Sequence, residues 1–119
     1  MKQYLHMKVL KINRDDVRAL HWKGSALWFL GKQEEANSYY DKVLAIDPNF
    51  YLSLYLKACN KAREGNKEEA LKFLKKAIDS HPKLKRYAKN DDAFNSLKGD
   101  SRFRKLIDLD YETQIENDS

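Results

Sequence analysis

Gly31 and Gly65, Ala36 and Ala70, and Pro48 and Pro82 are each 34 residues apart. A fixed period of this length, reading helix, tight turn, helix and proline, limits the possible folds more than any other feature of the chain. It predicts a helical solenoid, whose units cannot bury their apolar faces alone and do so by stacking on neighbours. Function is then to be sought on a surface rather than in a catalytic pocket.

Size and composition agree with one such unit. The 119 residues, 42% hydrophobic and 34% charged, suffice for a single modest core and not for two ordinary domains. Two prolines, four glycines and no strand-like alternation predict an all-α chain. The longest apolar runs, such as Ala26 to Leu30, fall far short of the roughly 18 residues of a membrane span. The lysine-bearing start has no apolar signal core, so a cytoplasmic chain is expected. Cys59 stands alone, which excludes an intramolecular disulfide and argues against structural zinc. No cofactor or metal is expected.

Helix signals fall at the period. Asp15 and Asp16 are N-cap candidates for a helix over Val17 to Leu30, and Gly31 ends it. Gln33 to Ile46 places Ala36, Tyr40, Val43 and Leu44 on one side. Asp47-Pro48 then closes that helix and launches the next, since proline lacks only an amide that has no partner in a first turn. Phe50 to Glu64 and Lys67 to Ser80 repeat the plan around Gly65-Asn66, with Ala70, Leu71, Leu74, Ala77 and Ile78 inward and His81-Pro82 closing. Gly24, Ala36, Ala58 and Ala70 give the clearance that close helix packing needs, and Tyr40 and Leu74 fill the remaining space.

These residues resemble the tetratricopeptide repeat. The first unit carries Gly24, Leu27, Gly31, Ala36, Tyr40 and Pro48; the second carries Leu54, Ala58, Gly65, Ala70, Leu74, Ala77 and Pro82. Leu20 and Leu54 stand where an aromatic is commonest, Lys23 and Lys57 replace a leucine and Lys61 a tyrosine; none is a close-packing position. The resemblance implies an all-α, right-handed solenoid of antiparallel helix pairs with repeats at 17–50 and 51–84. Stepping back 34 residues from Tyr40 and Val43 reaches His6 and Val9, so 1–16 reads as a half repeat, the second helix of a unit whose first is missing. Asp92 to Leu97 and Asp100 to Leu106 resemble the short cap that follows the last repeat in prokaryotic members. Helices at 85–109 would then turn Phe94, Leu97, Phe103 and Leu106 inward, followed by a polar, flexible tail at 110–119.

Catalysis finds little support. His6, His21 and His81 form no metal-ligand spacing, and no phosphate loop or serine elbow occurs. Cys59 with His21 is the one nucleophile-and-base pairing to consider, although a lone helical cysteine is usually a packing residue. Glu34-Glu35 and Glu68-Glu69 sit in first turns, where carboxylates favour the positive end of the helix dipole. The chain is therefore not expected to be an enzyme.

The resemblance places the first helices on the concave surface. Arg18, His21, Trp22, Ser25, Trp28 and Phe29, with Leu52, Tyr55, Leu56, Cys59 and Arg63, become groove candidates, joined by Arg86. Rigid aromatic and arginine side chains dominate binding hot spots. The family's clamp for chaperone tails is not matched, because its positions hold His21, Ser25, Leu56, Arg86 and Asn90 and only Arg86 keeps the charge. The expected function is a scaffold holding a peptide or helix of another protein by apolar burial, with Arg18, Arg63 and Arg86 selecting acidic groups. The alternative is homodimer assembly through the open edge at Tyr4, Leu5, Val9 and Ile12. Nucleic acid is a lesser option, drawn from the net charge of +5 and the eight bases against three acids between Lys83 and Lys105, with Tyr87, Phe94 and Phe103 interleaved. Against it, Leu106 to Ser119 holds five acids and no base, which can neutralise that stretch within the chain.

Overall fold

A computed structural model describes the backbone of residues 2–108 and the side chains of residues 16–108. In chain order the elements are α1 (Lys2–Phe29), α2 (Gln33–Ile46), α3 (Tyr51–Arg63), α4 (Lys67–Ser80), α5 (Leu84–Asn90), a 3-10 segment (Asp92–Leu97) and α6 (Ser101–Leu106). No strand occurs among the described residues. The helices form an all-α stack of pairs: α1 packs on α2, α3 on α4, and α3 reaches the 3-10 segment on its other side.

Both tight turns are set by glycine. Gly31 and Gly65 have φ of 81° and 84°, left-handed values that cost a side chain strain and cost glycine little. Each turn closes with the same two bonds. Lys32 N–H donates to Leu27 O (2.9 Å) and Gly31 N–H to Trp28 O (3.0 Å), while Asn66 N–H donates to Lys61 O (2.9 Å) and Gly65 N–H to Ala62 O (3.1 Å). This is the Schellman closure, which satisfies the last carbonyls of the outgoing helix. At the other boundary Asp47 Oδ1 accepts from Asn49 N–H, and the turn around Pro48 is held by Phe50 N–H to Asp47 O.

The helix start expected at Val17 is corrected. α1 is one 28-residue helix with Asp15 and Asp16 inside it. Residues 13–16 hold neither glycine nor proline, and asparagine or aspartate weakens a helix interior by only about 0.5 kcal/mol. Nothing there turns the backbone, so 2–16 continues the first helix instead of forming a separate antiparallel one. The side chains of Tyr4, Leu5, Val9 and Ile12 lie outside the described residues, as does the tail from 109 onward.

The continuous apolar core begins with the second unit. It runs from Leu54 through Ala58, Leu74, Ala77, Ile78 and Ala88 to Phe94, Leu97, Phe103 and Ile107, with Leu44 of the first unit packed at its edge. Phe94 stacks obliquely on Phe103 at 5.7 Å between centroids. Of the four cap residues expected inside, Phe94, Leu97 and Phe103 are fully buried, whereas Leu106 is half-buried and Ile107 fills the inward position. The cap is anchored by its own carboxylates. Asp91 Oδ1 accepts from Ala93 N–H, Asp100 Oδ1 from Arg102 N–H, and the Arg102 guanidinium joins Asp100 to Glu68 of α4.

The first unit has a different interior. Val17, Ala36, Tyr40 and Val43 are buried, and so are His21 and Ser25. A Cβ at Gly24 would lie 2.7 Å from Tyr40 Cε1, so the ring of Tyr40 demands a glycine opposite it. In the second unit the matching pair is Ala58 and Leu74, both fully buried. A smaller partner there leaves room for one methyl.

Candidate partner-binding surface

Three polar links tie each first helix to the next layer, and all span 32 residues. His21 Nδ1 and Ser53 Oγ share a hydrogen bond at 2.9 Å. Trp28 Nε1–H donates to Asn60 Oδ1 at 2.8 Å, and Asn60 Nδ2 donates onward to Asn37 Oδ1. Cys59 Sγ lies 3.8 Å from Asp91 Oδ2. The cap thus docks on α3 in the register with which α3 docks on α1. Asp91 sits where a third repeat would present its first helix.

That geometry removes three expected surface residues from the groove. His21 is 3% exposed, bonded to Ser53 and, at 3.4 Å, to Ser25. Its ring also contacts Tyr40 and Phe50, and burial lowers its pKa, so it is held neutral at neutral pH. Ser25 accepts from the Tyr40 hydroxyl. Cys59 is 2% exposed; burial first, and the Asp91 carboxylate second, push its thiol pKa up. A thiol so placed stays protonated, the opposite of an activated nucleophile. Its thiol faces Asp91 while the His21 ring faces two serines, so the pairing of Cys59 with His21 does not form. All three are packing residues: His21 and Cys59 meet the next layer at Ser53 and Asp91, and Ser25 meets Tyr40 of its own unit.

The remaining candidates divide into two areas. On α1, Arg18 is exposed, Trp22 is 64% and Phe29 80% exposed, and Leu30 beside them is 71% exposed. Leu52 and Leu56 of α3 are half-buried. Trp28 is half-buried beneath Arg63, whose guanidinium carbon stands 5.0 Å from the indole centroid, a cation–π distance. The second area is a cleft of about 1200 Å³ between α3 and α5, lined by Tyr55, Arg63, Lys83, Lys85, Arg86, Tyr87, Lys89 and Asn90, together with Asp91, Asp92, Ile107 and Asp108. Tyr55, Arg63 and Arg86 meet there. Arg18, Trp22 and Phe29 do not.

The cleft is electropositive. Five cations face three carboxylates, and two of the three carboxylates are already engaged. Asp91 Oδ2 accepts from the Tyr55 hydroxyl at 2.7 Å, a bond that, after burial, raises the Tyr55 pKa. Asp108 pairs with Lys85 at 2.9 Å. Tyr87, 68% exposed, gives the rim an aromatic face. Sequence reasoning missed Lys83, Lys85, Tyr87 and Lys89 as cleft residues. Their signal was the basic run after Lys83, read as a nucleic-acid alternative or a solvated face. The nucleic-acid reading also loses two of its three aromatics, because Phe94 and Phe103 are fully buried and cannot stack on bases, which leaves Tyr87 alone.

Among the described residues, no helix is long and apolar enough to cross a membrane. Two family models of the tetratricopeptide repeat match the chain, one over residues 17–50 and one over residues 52–83. No curated protein and no solved structure matches it. Such repeats are in general protein-interaction scaffolds rather than catalysts. The two matches cover more than half of the 119 residues and coincide with the α1–α2 and α3–α4 pairs closed by left-handed glycines, so the chain belongs to the tetratricopeptide repeat family.

Proposed function

We propose that the chain holds an acidic segment of another protein against its first-helix surface, anchored in the α3–α5 cleft. The observation that carries this reading is the gathering of Arg63, Lys83, Lys85, Arg86 and Lys89 with Tyr55 and Tyr87 around one cavity. Clustered cations steer and select acidic ligands, and tyrosine faces add contact area at low entropic cost. Arg63 over Trp28 extends the surface toward the half-buried Leu52 and Leu56. A cytoplasmic setting fits the single buried thiol.

The test is fluorescence titration with a short glutamate-rich peptide carrying leucines, beside its lysine-rich counterpart. The glutamate peptide should bind, the lysine peptide should not, and Arg63→Glu with Arg86→Glu should weaken binding at least about tenfold, or 1.4 kcal/mol. Equal binding of both peptides would sink the reading. Tyr55→Ala is a poor probe, because it also removes the bond to Asp91.

A second reading is self-assembly through α1. It is favoured by the exposure of Trp22 and Phe29 on a helix of 28 residues whose partner α2 has 14, and of Leu30 in the turn that follows it. Sedimentation over a range of concentrations should then reveal a dimer that persists in about 1 M salt, where charge is screened. Leu5→Glu with Val9→Glu should abolish that dimer and leave peptide binding intact. A monomer at all concentrations would end this reading.

A further inference from the structure

We propose that the α3–α5 cleft has an occupant within the same chain, the acidic segment 109–119, which a partner must displace. The inference rests on the reading of the cleft as an acid-binding surface. Ile107 and Asp108 line the cleft, so the described residues end at its rim. Asp108 already seats a carboxylate on a cleft lysine, Lys85, and it opens an acidic run. Beyond it stand Asp110, Glu112, Glu116 and Asp118 without a single lysine or arginine, interleaved with Leu109, Tyr111 and Ile115. Opposite them the cleft offers Arg63, Lys83 and Arg86 for charge and the tyrosine rings for apolar contact. Both halves of the chemistry match.

Reach and tethering favour the same pairing. Eleven residues span up to about 36 Å when extended, whereas the seven residues of α5 rise only about 10 Å. A segment tied to the rim meets the cleft at an effective concentration on the order of millimolar, so individually weak, exposed ion pairs suffice. Their weakness also keeps the segment displaceable.

The experiment uses the full chain, wild type and with Asp110→Asn, Glu112→Gln, Glu116→Gln and Asp118→Asn together. Dilute protein is treated with a carbodiimide, which joins lysine amines to carboxylates in contact, and the monomer is mapped by peptide mass spectrometry. Amide bonds from Lys83 or Lys89 to the segment are expected in the wild type; the Lys85–Asp108 bond forms in both chains and serves as the control. Absence of Lys83 and Lys89 products, or their presence in cross-linked dimers alone, overturns the proposal. The same glutamate-rich probe should bind the neutralised chain on the order of fivefold more tightly than the wild type at low salt, with the gap closing in about 1 M salt. Coupling without probe binding to either chain would retire the partner reading and leave the self-contact standing. Equal probe binding without coupling would do the reverse.

Discussion

Residues 17–50 and 51–84 share one backbone plan and differ in what fills it. Both turns carry a left-handed glycine with the same two closing bonds, and both second helices bury an alanine in the first turn, Ala36 and Ala70. Yet the first unit pairs Gly24 with Tyr40 and lodges His21 and Ser25 inside, where the second has Ala58 with Leu74 and Tyr55 with Cys59. The second unit lies between neighbours, α1–α2 on one side and the cap on the other, and its core is continuous and apolar. The first unit has a layer on one side among the described residues, and joins it through His21–Ser53 and Trp28–Asn60. A repeat's period sets its path, while its neighbours decide which side chains it can bury.

The sharpest way to break that comparison is to empty each core in turn. Leu74→Ala should cost about 2–5 kcal/mol and lower the urea midpoint of the whole chain, because both layers rest on α3–α4. Tyr40→Ala, truncating an equally buried side chain, should unfold α1–α2 while the circular dichroism of α3 to α6 survives to higher urea. A single shared transition in both variants would erase the distinction.

A smaller effect tests the exchange of bulk between facing positions. Gly24→Ala puts a methyl into the Tyr40 ring and should cost about 1–3 kcal/mol from overpacking, offset by about 1 kcal/mol of helix propensity. Adding Tyr40→Leu, which copies the second unit, should recover part of that loss in a double-mutant cycle. The bond network between layers is of similar weight. Asn60→Ala leaves the Trp28 indole N–H and the Asn37 amide unpaired and should cost about 1–3 kcal/mol in thermal unfolding.

The smallest expected effect is the most selective. His21 has its pKa lowered from 6.5 by burial, so the unfolded chain binds the extra proton first. Its contribution is intact above pH 6.5, falls as the pH drops below that value, and levels off beneath the folded pKa. The loss should be confined to α1–α2, should vanish in His21→Gln, and can be followed by urea unfolding at stepped pH. The matching residue, Tyr55, does not titrate in this range.

Most of the backbone was legible because glycine and proline punctuate it. The α2 and α4 boundaries follow directly from Gly31, Pro48, Gly65 and Pro82, and the cap was read from Asp92 to Leu97 and Asp100 to Leu106, with Phe94 and Phe103 inward. The break expected before Val17 had no such residue behind it, and the helix runs through. The interaction surface was harder to read, since a concave position is defined by the next layer. His21, Ser25 and Cys59 occupy the same kind of position as Arg63 but meet Ser53, Tyr40 or Asp91 instead of water. The 32-residue spacing of His21–Ser53 and Cys59–Asp91 is a product of stacking geometry and leaves no mark on the sequence by itself. Lys83 and Lys89 were visible as charge, but only the fold of α5 beside α3 gathers them around Tyr55.

The most direct test of the central claim is hydrogen–deuterium exchange of the full chain with residues 110, 112, 116 and 118 neutralised, with and without the glutamate-rich peptide. Without peptide, the slowest amides should lie in α3 and α4, and α1–α2 should exchange faster. With peptide, added protection should fall on residues 55–63 and 83–92 and leave 17–46 unchanged. Slowest exchange in α1–α2, or peptide protection centred there, would contradict the account.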